Sequence, residues 1–254
     1  MELQKYADAH SHIQDFENID QIVKESTDSG INHIICNSTT FDFLPPSLLN
    51  LYPFIIPCIG LHPWYINKEQ NVEYEKMENI LKSDERIQVG EIGLDFIKAK
   101  EKEDQKRQCE IFISQLQLAI KYNRSMSIHC VRASGEMLKI FKKQLKGQNY
   151  NAAIIMHSYG CPKEITGSLD KLYPNFYYSL CLNMKMEQLN HIDKNKLLFE
   201  TDAPYQYNPN IVESEDKKSH PKFLIKLIQD CATYLNEPLL AQIVYNNFRR
   251  ALKL

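Results

Sequence analysis

The chain has 254 residues, 43% of them hydrophobic, and a formal net charge of −2. That is enough for one barrel-sized α/β domain over residues 1–254, and it lacks the bulk positive charge of a phosphate-coating nucleic-acid module. Seven cysteines, at positions 36, 58, 109, 130, 161, 181 and 231, form no CxxC pair, which argues for reduced thiols. No basic-then-apolar leader opens the chain and no run nears the roughly 18 apolar residues of a membrane span, so a cytoplasmic protein without membrane contact is expected.

In chain order, short apolar runs rich in β-branched and aromatic residues alternate with stretches of helical period. A first strand is expected at 6–9, a helix at 18–29 closed by Gly30, and strands at 33–36 and 54–61. Pro45-Pro46 marks a loop between those two strands, followed by a short helix. A helix at 72–82 and a strand at 87–94 precede the longest helix, 102–122, with Phe112, Leu116, Ala119 and Ile120 on one face. Next come a strand at 125–130, a helix capped by Ser134 that carries Met137, Phe141 and Leu145, a strand at 152–156, and a helix at 162–172 with Pro162 in its first turn. Strands at 176–180 and 197–201 lead to two C-terminal helices, one using Leu224, Leu227, Ile228, Cys231 and Leu235, the other Leu240, Ile243, Val244, Asn247 and Ala251. Eight strands alternating with helices form the (β/α)8 barrel pattern, although alternation alone also suits a doubly wound open sheet.

Ligand-type side chains separate the two. His10 and His12 lie two apart on the first strand, so they project to one face. Glu91 sits between Gly90 and Gly93 in an apolar run, a poor packing position for a carboxylate. His129, His157 and Asp202 fall at the ends of the fifth, sixth and eighth strands. Singly, each has an ordinary explanation as a rim histidine or a turn-forming carboxylate. Together they place six ligands on five strand ends, always the carboxyl end, which a barrel gathers into one area and an open sheet spreads along a line. Four neutral imidazoles and two carboxylates suit Zn²⁺, Mn²⁺ or a similar ion, and suffice for two ions if one carboxylate bridges.

The segments His10-Ser11-His12, Gly60-Leu61-His62-Pro63, Gly90-Glu91-Ile92-Gly93-Leu94-Asp95, Ile128-His129, His157 and Glu200-Thr201-Asp202-Ala203-Pro204-Tyr205 resemble, in order, those of the TatD-related deoxyribonucleases, which are metal-dependent hydrolase barrels. The resemblance implies two divalent ions (Zn²⁺, Mn²⁺ or Mg²⁺) and hydrolysis of DNA phosphodiesters. Carried over, His10, His12 and Asp202 would hold one ion, His129 and His157 the other, and Glu91 would bridge. Asp202 would also orient or deprotonate the attacking water, which with Glu91 makes the catalytic pair. Departures fall outside this set: Arg132 comes third after His129 rather than second, Ser158-Tyr159-Gly160 is one residue tighter, and the 205–220 segment is more acidic.

His62, Trp64 and Arg132 are the expected substrate contacts. His62 would meet a phosphate, Trp64 would stack on a base, and Arg132 would clamp a phosphate; loop packing is the ordinary alternative for Trp64. Asp95 and Glu200 are expected to orient neighbouring ligands. The leading expectation is a deoxyribonuclease with DNA as its partner and no obligate protein partner. Hydrolysis of an ester or amide, including aminoacyl-tRNA esters, is the first alternative; a metal-binding scaffold without activity is the second.

Overall fold

The computed structural model describes residues 4–41, 51–67 and 71–254; the loop and short helix expected after Pro45-Pro46 lie outside them. Eight parallel strands follow one another in a single sheet: β1 (Tyr6–Ser11), β2 (Ile31–Asn37), β3 (Ile55–Ile59), β4 (Gln88–Asp95), β5 (Met126–Val131), β6 (Ile154–Met156), β7 (Phe176–Leu180) and β8 (Leu197–Phe199). All are almost wholly buried, as parallel strands covered by crossover helices must be. The described helices are α1 (Ile19–Asp28), α2 (Tyr74–Ser83), α3 (Lys102–Lys121), α4 (Ser134–Gln144), α5 (Lys163–Leu172), α6 (Leu224–Leu235) and α7 (Leu240–Leu252). None is long and apolar enough to cross a membrane.

The sheet curls until its ends meet, giving a nearly closed barrel. Asp202 N–H donates to His10 O at 3.0 Å and His12 N–H to Ala203 O. The Asp8 carboxylate accepts the Thr201 N–H (3.0 Å) and hydroxyl. These contacts join segments some 190 residues apart, and they set Asp202 beside His10 and His12. Burial pushes the Asp8 carboxyl up to about 8 against the pull of its donors.

Element ends differ from expectation for local reasons. Gly30 lies one residue past the α1 cap, at φ +96°, where a side chain would be strained. Ser134 is the first residue of α4 rather than its cap; Ala133 holds that place and offers no side-chain acceptor. In α3 the apolar face is as expected, with Phe112, Leu116 and Ala119 fully buried. Two glutamines share that face. Gln115 takes Leu61 N–H (2.7 Å) and donates to Leu61 O (3.2 Å), while Gln108 takes Asp95 N–H (2.8 Å) and donates to Pro63 O (3.2 Å). One helix thereby fixes the loop after β3 and the end of β4. A smaller cluster that includes Ala9, Ile35, Cys58, Ile155 and Leu198 packs with Tyr245 and Phe248 of α7.

Candidate metal centre

Why Glu91 needs glycine neighbours is visible in the packing. A Cβ on Gly90 would come within 2.5 Å of Asn37 Oδ1, and one on Gly93, at φ +148°, within 1.9 Å of His129 O. The two glycines let β4 approach its neighbours closely enough for Glu91 to reach imidazoles from β1, β5 and β6.

The Glu91 side chain, only 2% exposed at the residue level, turns its two oxygens to different groups. Oε2 lies 3.2 Å from both His10 Nε2 and His12 Nε2. Oε1 lies 2.8 Å from His129 Nδ1 and 3.1 Å from each of His62 Nε2 and His157 Nε2. Asp202 Oδ1 is 3.4 Å from His12 Nε2 and 3.6 Å from His10 Nε2, and this buried oxygen has no hydrogen-bond partner. All six expected ligands therefore meet in one place, at the carboxyl ends of the strands. Within it, His10, His12 and Asp202 form one group with metal-ligating spacing; His62, Glu91 and His129 form another, and His10, His157 and Glu200 a third.

The far side of each ring decides what its near nitrogen can do. His12 Nδ1 faces the carbonyl of Asn37 (2.8 Å), His157 Nδ1 faces Glu200 Oε1 (3.0 Å) and His129 Nε2 faces Asp95 Oδ2 (3.2 Å). A nitrogen facing such an acceptor carries the proton, which leaves the inner nitrogen of the neutral ring with its lone pair. His10 Nδ1 meets Ser127 Oγ at 2.8 Å and also faces the Asn37 Nδ2 donor at 3.1 Å, so its far side has no acceptor of the kind that fixes those three rings. His62 is wired the other way. Its Nδ1 accepts the Trp64 backbone N–H at 3.1 Å, so the proton of its neutral ring sits on Nε2 and points inward. Burial lowers the pKa of His62, which keeps that ring neutral. His62 thus offers a donor where His12, His129 and His157 offer lone pairs.

Charge balance within the cluster is tight. Burial opposes ionisation of Glu91, but His62, His157 and His10 hold it well below the usual carboxylate range; burial likewise opposes Asp202, which His12 and His10 pull down. Burial would lower His12, yet the neighbouring Asp202 and Glu91 carboxylates carry it up to about 10. His129 is raised against burial by Asp95 and Glu91, and His157 well raised by the charges of Glu91 and Glu200. His10 is lowered, by burial and by His157. The expected set of four neutral rings therefore holds only when something else supplies positive charge: two buried carboxylates otherwise draw protons onto the imidazoles.

His12, His62, Glu91, His129, His157 and Asp202 line a cavity of about 410 Å³, together with Thr39, Trp64, Tyr65, Ser158, Tyr205 and Gln206 among others; His10, wholly buried, is not part of its wall. Trp64 (54% exposed), Tyr65 (49%) and Tyr205 (49%) stand exposed at its rim. Trp64 also has a structural bond, its indole N–H donating to Asp95 Oδ2 at 2.6 Å. Asp95 takes two backbone N–H groups as well, from Ile97 and Lys98, each at 2.9 Å. Arg132 is exposed, at φ +54°, and is no part of the cavity wall; the positive φ turns the chain away directly after β5. The expected phosphate clamp gains no support from that position. Among the lining residues that sequence reasoning gave no role are Thr39, Tyr65, Tyr205, Ser158 and Gln206, of which Tyr205, Ser158 and Gln206 lie nearest Asp202 in sequence or in bonding. For Tyr205, its place three residues after Asp202 was a usable signal; Ser158 and Gln206 gave none.

A nearly closed parallel barrel that converges imidazoles and carboxylates on the carboxyl ends of its strands has the architecture of the metal-dependent hydrolases. The chain belongs to the TatD related DNase family, whose pattern it matches over residues 7–253. It is 26% identical over 247 residues to a protein of Edwardsiella piscicida named 3'-5' ssDNA/RNA exonuclease TatD, covering 93% of this chain and 94% of that one. Identity is also 26%, over 236 residues, with an uncharacterized metal-dependent hydrolase of Methanocaldococcus jannaschii, at 90% and 88% coverage. Among solved structures, a TatD homologue from Escherichia coli k12 superposes with a TM-score of 0.83 at 19% identity, covering 99% of each chain; that likeness concerns the fold.

Proposed function

We propose that the chain is a metal-dependent nuclease that hydrolyses phosphodiester bonds of single-stranded nucleic acid, DNA first, using two divalent ions. The observation that carries this reading is the division of Glu91, one oxygen toward His10 and His12 and the other toward His129 and His157. The donor set fits such ions. It offers nitrogen and carboxylate ligands, each ring is braced on its far side, and the buried Asp202 Oδ1 is otherwise unpartnered. His10, His12 and Asp202 would hold one ion and His129 and His157 the other, with Glu91 between them; Zn²⁺, Mn²⁺ and Mg²⁺ are the candidates. When bound, the pair supplies positive charge that acidifies water and stabilises the attacking and leaving oxygens.

The protein's own groups do the rest. Asp202 orients the attacking water and accepts its proton. His62 directs its Nε2–H at a phosphate oxygen, a use consistent with the tautomer fixed by Trp64 N–H. Trp64 presents an exposed ring for a base to stack on. Arg132 stays a substrate contact only if the bound strand runs out of the cavity over α4. Residues 1–254 are proposed to act as a single barrel unit, since the cluster draws on β1, β4, β5, β6 and the segment after β8. The seven unpaired cysteines support a reducing, cytoplasmic setting.

The test is substrate profiling of the metal-loaded protein: labelled single-stranded DNA and RNA beside a simple carboxylic ester and an aminoacyl-tRNA. Preferential shortening of the DNA or RNA is expected. Turnover of the esters alone would move the assignment to a different bond with the same ligands.

A further inference from the structure

Gln206 belongs to no ligand group, yet its side-chain amide is bonded at every position. Its Nε2 donates to Asp202 Oδ2 at 2.7 Å and to Ser158 Oγ at 3.0 Å, using both amide protons. Its Oε1 accepts from Cys181 Sγ at 2.8 Å. A thiol donates and a carboxylate only accepts, so the two contacts fix which end of the amide faces Asp202. Asn183 Nδ2 holds the Gln206 carbonyl at 3.2 Å. The brace thus spans the segments that follow β6, β7 and β8.

Three members of the brace carry left-handed backbone: Ser158 at φ +44°, Asp202 at φ +51° and Gln206 at φ +53°. Non-glycine residues rarely adopt this region, and such residues gather where geometry is imposed for a purpose. The consequence falls on Asp202. With Oδ2 occupied by Gln206, only Oδ1 remains, and it is the oxygen that is buried without a partner beside His10 and His12. A carboxylate with both oxygens free can swing or chelate through both. One tethered by Oδ2 presents a single oxygen in a single direction.

We propose that Gln206 is a positioning residue that locks the Asp202 carboxylate in a one-oxygen presentation toward the His10 and His12 side of the cluster. The proposal rests on the metal-hydrolase reading above. Gln206→Met keeps length and volume and removes both the donor and the acceptor. Three quantities are read on parent and variant: Mn²⁺ affinity by equilibrium dialysis, the visible ligand-field spectrum with Co²⁺, and kcat and KM on labelled single-stranded DNA.

The expected result is Mn²⁺ binding weakened by about 10- to 100-fold and a Co²⁺ spectrum changed in band position or intensity. A kcat lowered in similar proportion, with KM held within about twofold, completes it. A raised KM with unchanged kcat and Mn²⁺ affinity would overturn the proposal and make Gln206 a substrate contact. A lowered melting temperature with all three readouts unchanged would overturn it too, leaving Gln206 as packing. Should Gln206→Met fail to fold, Cys181→Ala, which removes the thiol that donates to Oε1 and its contact with Ser158 Oγ, is judged by the same readouts. Parent protein that takes up no Mn²⁺ would refute the metal-site reading itself, and this proposal with it.

Discussion

Glu91→Gln separates a two-ion site from a one-ion site. In the structure five imidazole nitrogens lie within 3.2 Å of the two Glu91 oxygens. An amide can leave an oxygen on one side only, and its NH2 on the other side is no ligand. The His10, His12 and Asp202 side keeps three ligands, enough for one ion. The other side keeps His129 and His157, since the inner nitrogen of His62 carries a proton. Metal content should therefore fall from about two per chain toward about one, and the lost clamp should remove about 3–4 kcal/mol of transition-state stabilisation, about 10²–10³-fold in rate. In chelated protein the buried imidazoles lose their counter-charge and shed protons. That should hold the stability loss near the low end for a broken buried pair, about 3 kcal/mol, or roughly 6–12 °C in Tm for a chain of this size. Elemental analysis of gel-filtered protein, calorimetry and a nuclease assay on one preparation measure all three. Two ions per chain, or turnover within a few-fold of the parent, would refute the bridging role.

Asp202→Asn keeps the shape and the bond to Gln206 but loses the charge, so turnover should fall by about 10²–10⁴-fold in a protein that still folds. Activity within a few-fold would return Asp202 to an ordinary turn residue. Trp64 has two separable roles: Trp64→Phe keeps a stacking face but drops the bond to Asp95, and Trp64→Ala drops both. Single-strand binding should weaken by about 1–3 kcal/mol in the alanine variant and little in the phenylalanine one; equal losses would mean that the indole N–H, not the ring, matters. Asp8 predicts a pH dependence. Its folded pKa, raised by burial to about 8, exceeds the unfolded carboxylate value, so its contribution to stability is full below about pH 4 and lost as pH rises through 8. Denaturation of chelated Asp8→Asn protein at pH 5 and pH 9 should show a smaller fall between them than the parent; an equal fall would exclude Asp8 as the source.

The barrel was legible because parallel strands must be buried and helices must cover them, and both periods are written in the residues. The shared face of His10 and His12 was legible from two-residue spacing, and the convergence of the six candidate ligands from their recurrence at strand ends. What joins Asp202 to His10 was not, because closure runs through backbone bonds and an Asp8–Thr201 contact across 193 positions. The polarity of His62 was hidden for a different reason: it depends on which backbone N–H reaches Nδ1, not on residue type. Gln108, Gln115 and Gln206 gave no signal, since a glutamine binding backbone or a carboxylate looks in sequence like any surface amide. Arg132 shows the converse: it follows His129 closely in sequence, but it stands exposed, with left-handed backbone, outside the cavity wall.

The central claim is that this cluster hydrolyses nucleic acid only when it holds metal. It is tested most directly by stripping the protein with a strong chelator, verifying metal content on that sample, and assaying cleavage of labelled single-stranded DNA before and after stepwise return of Mn²⁺, Mg²⁺ or Zn²⁺. Activity should vanish with the metal and return with at least one of these ions, saturating near two equivalents per chain when that ion binds tightly. Undiminished cleavage by verified metal-free protein would contradict the account.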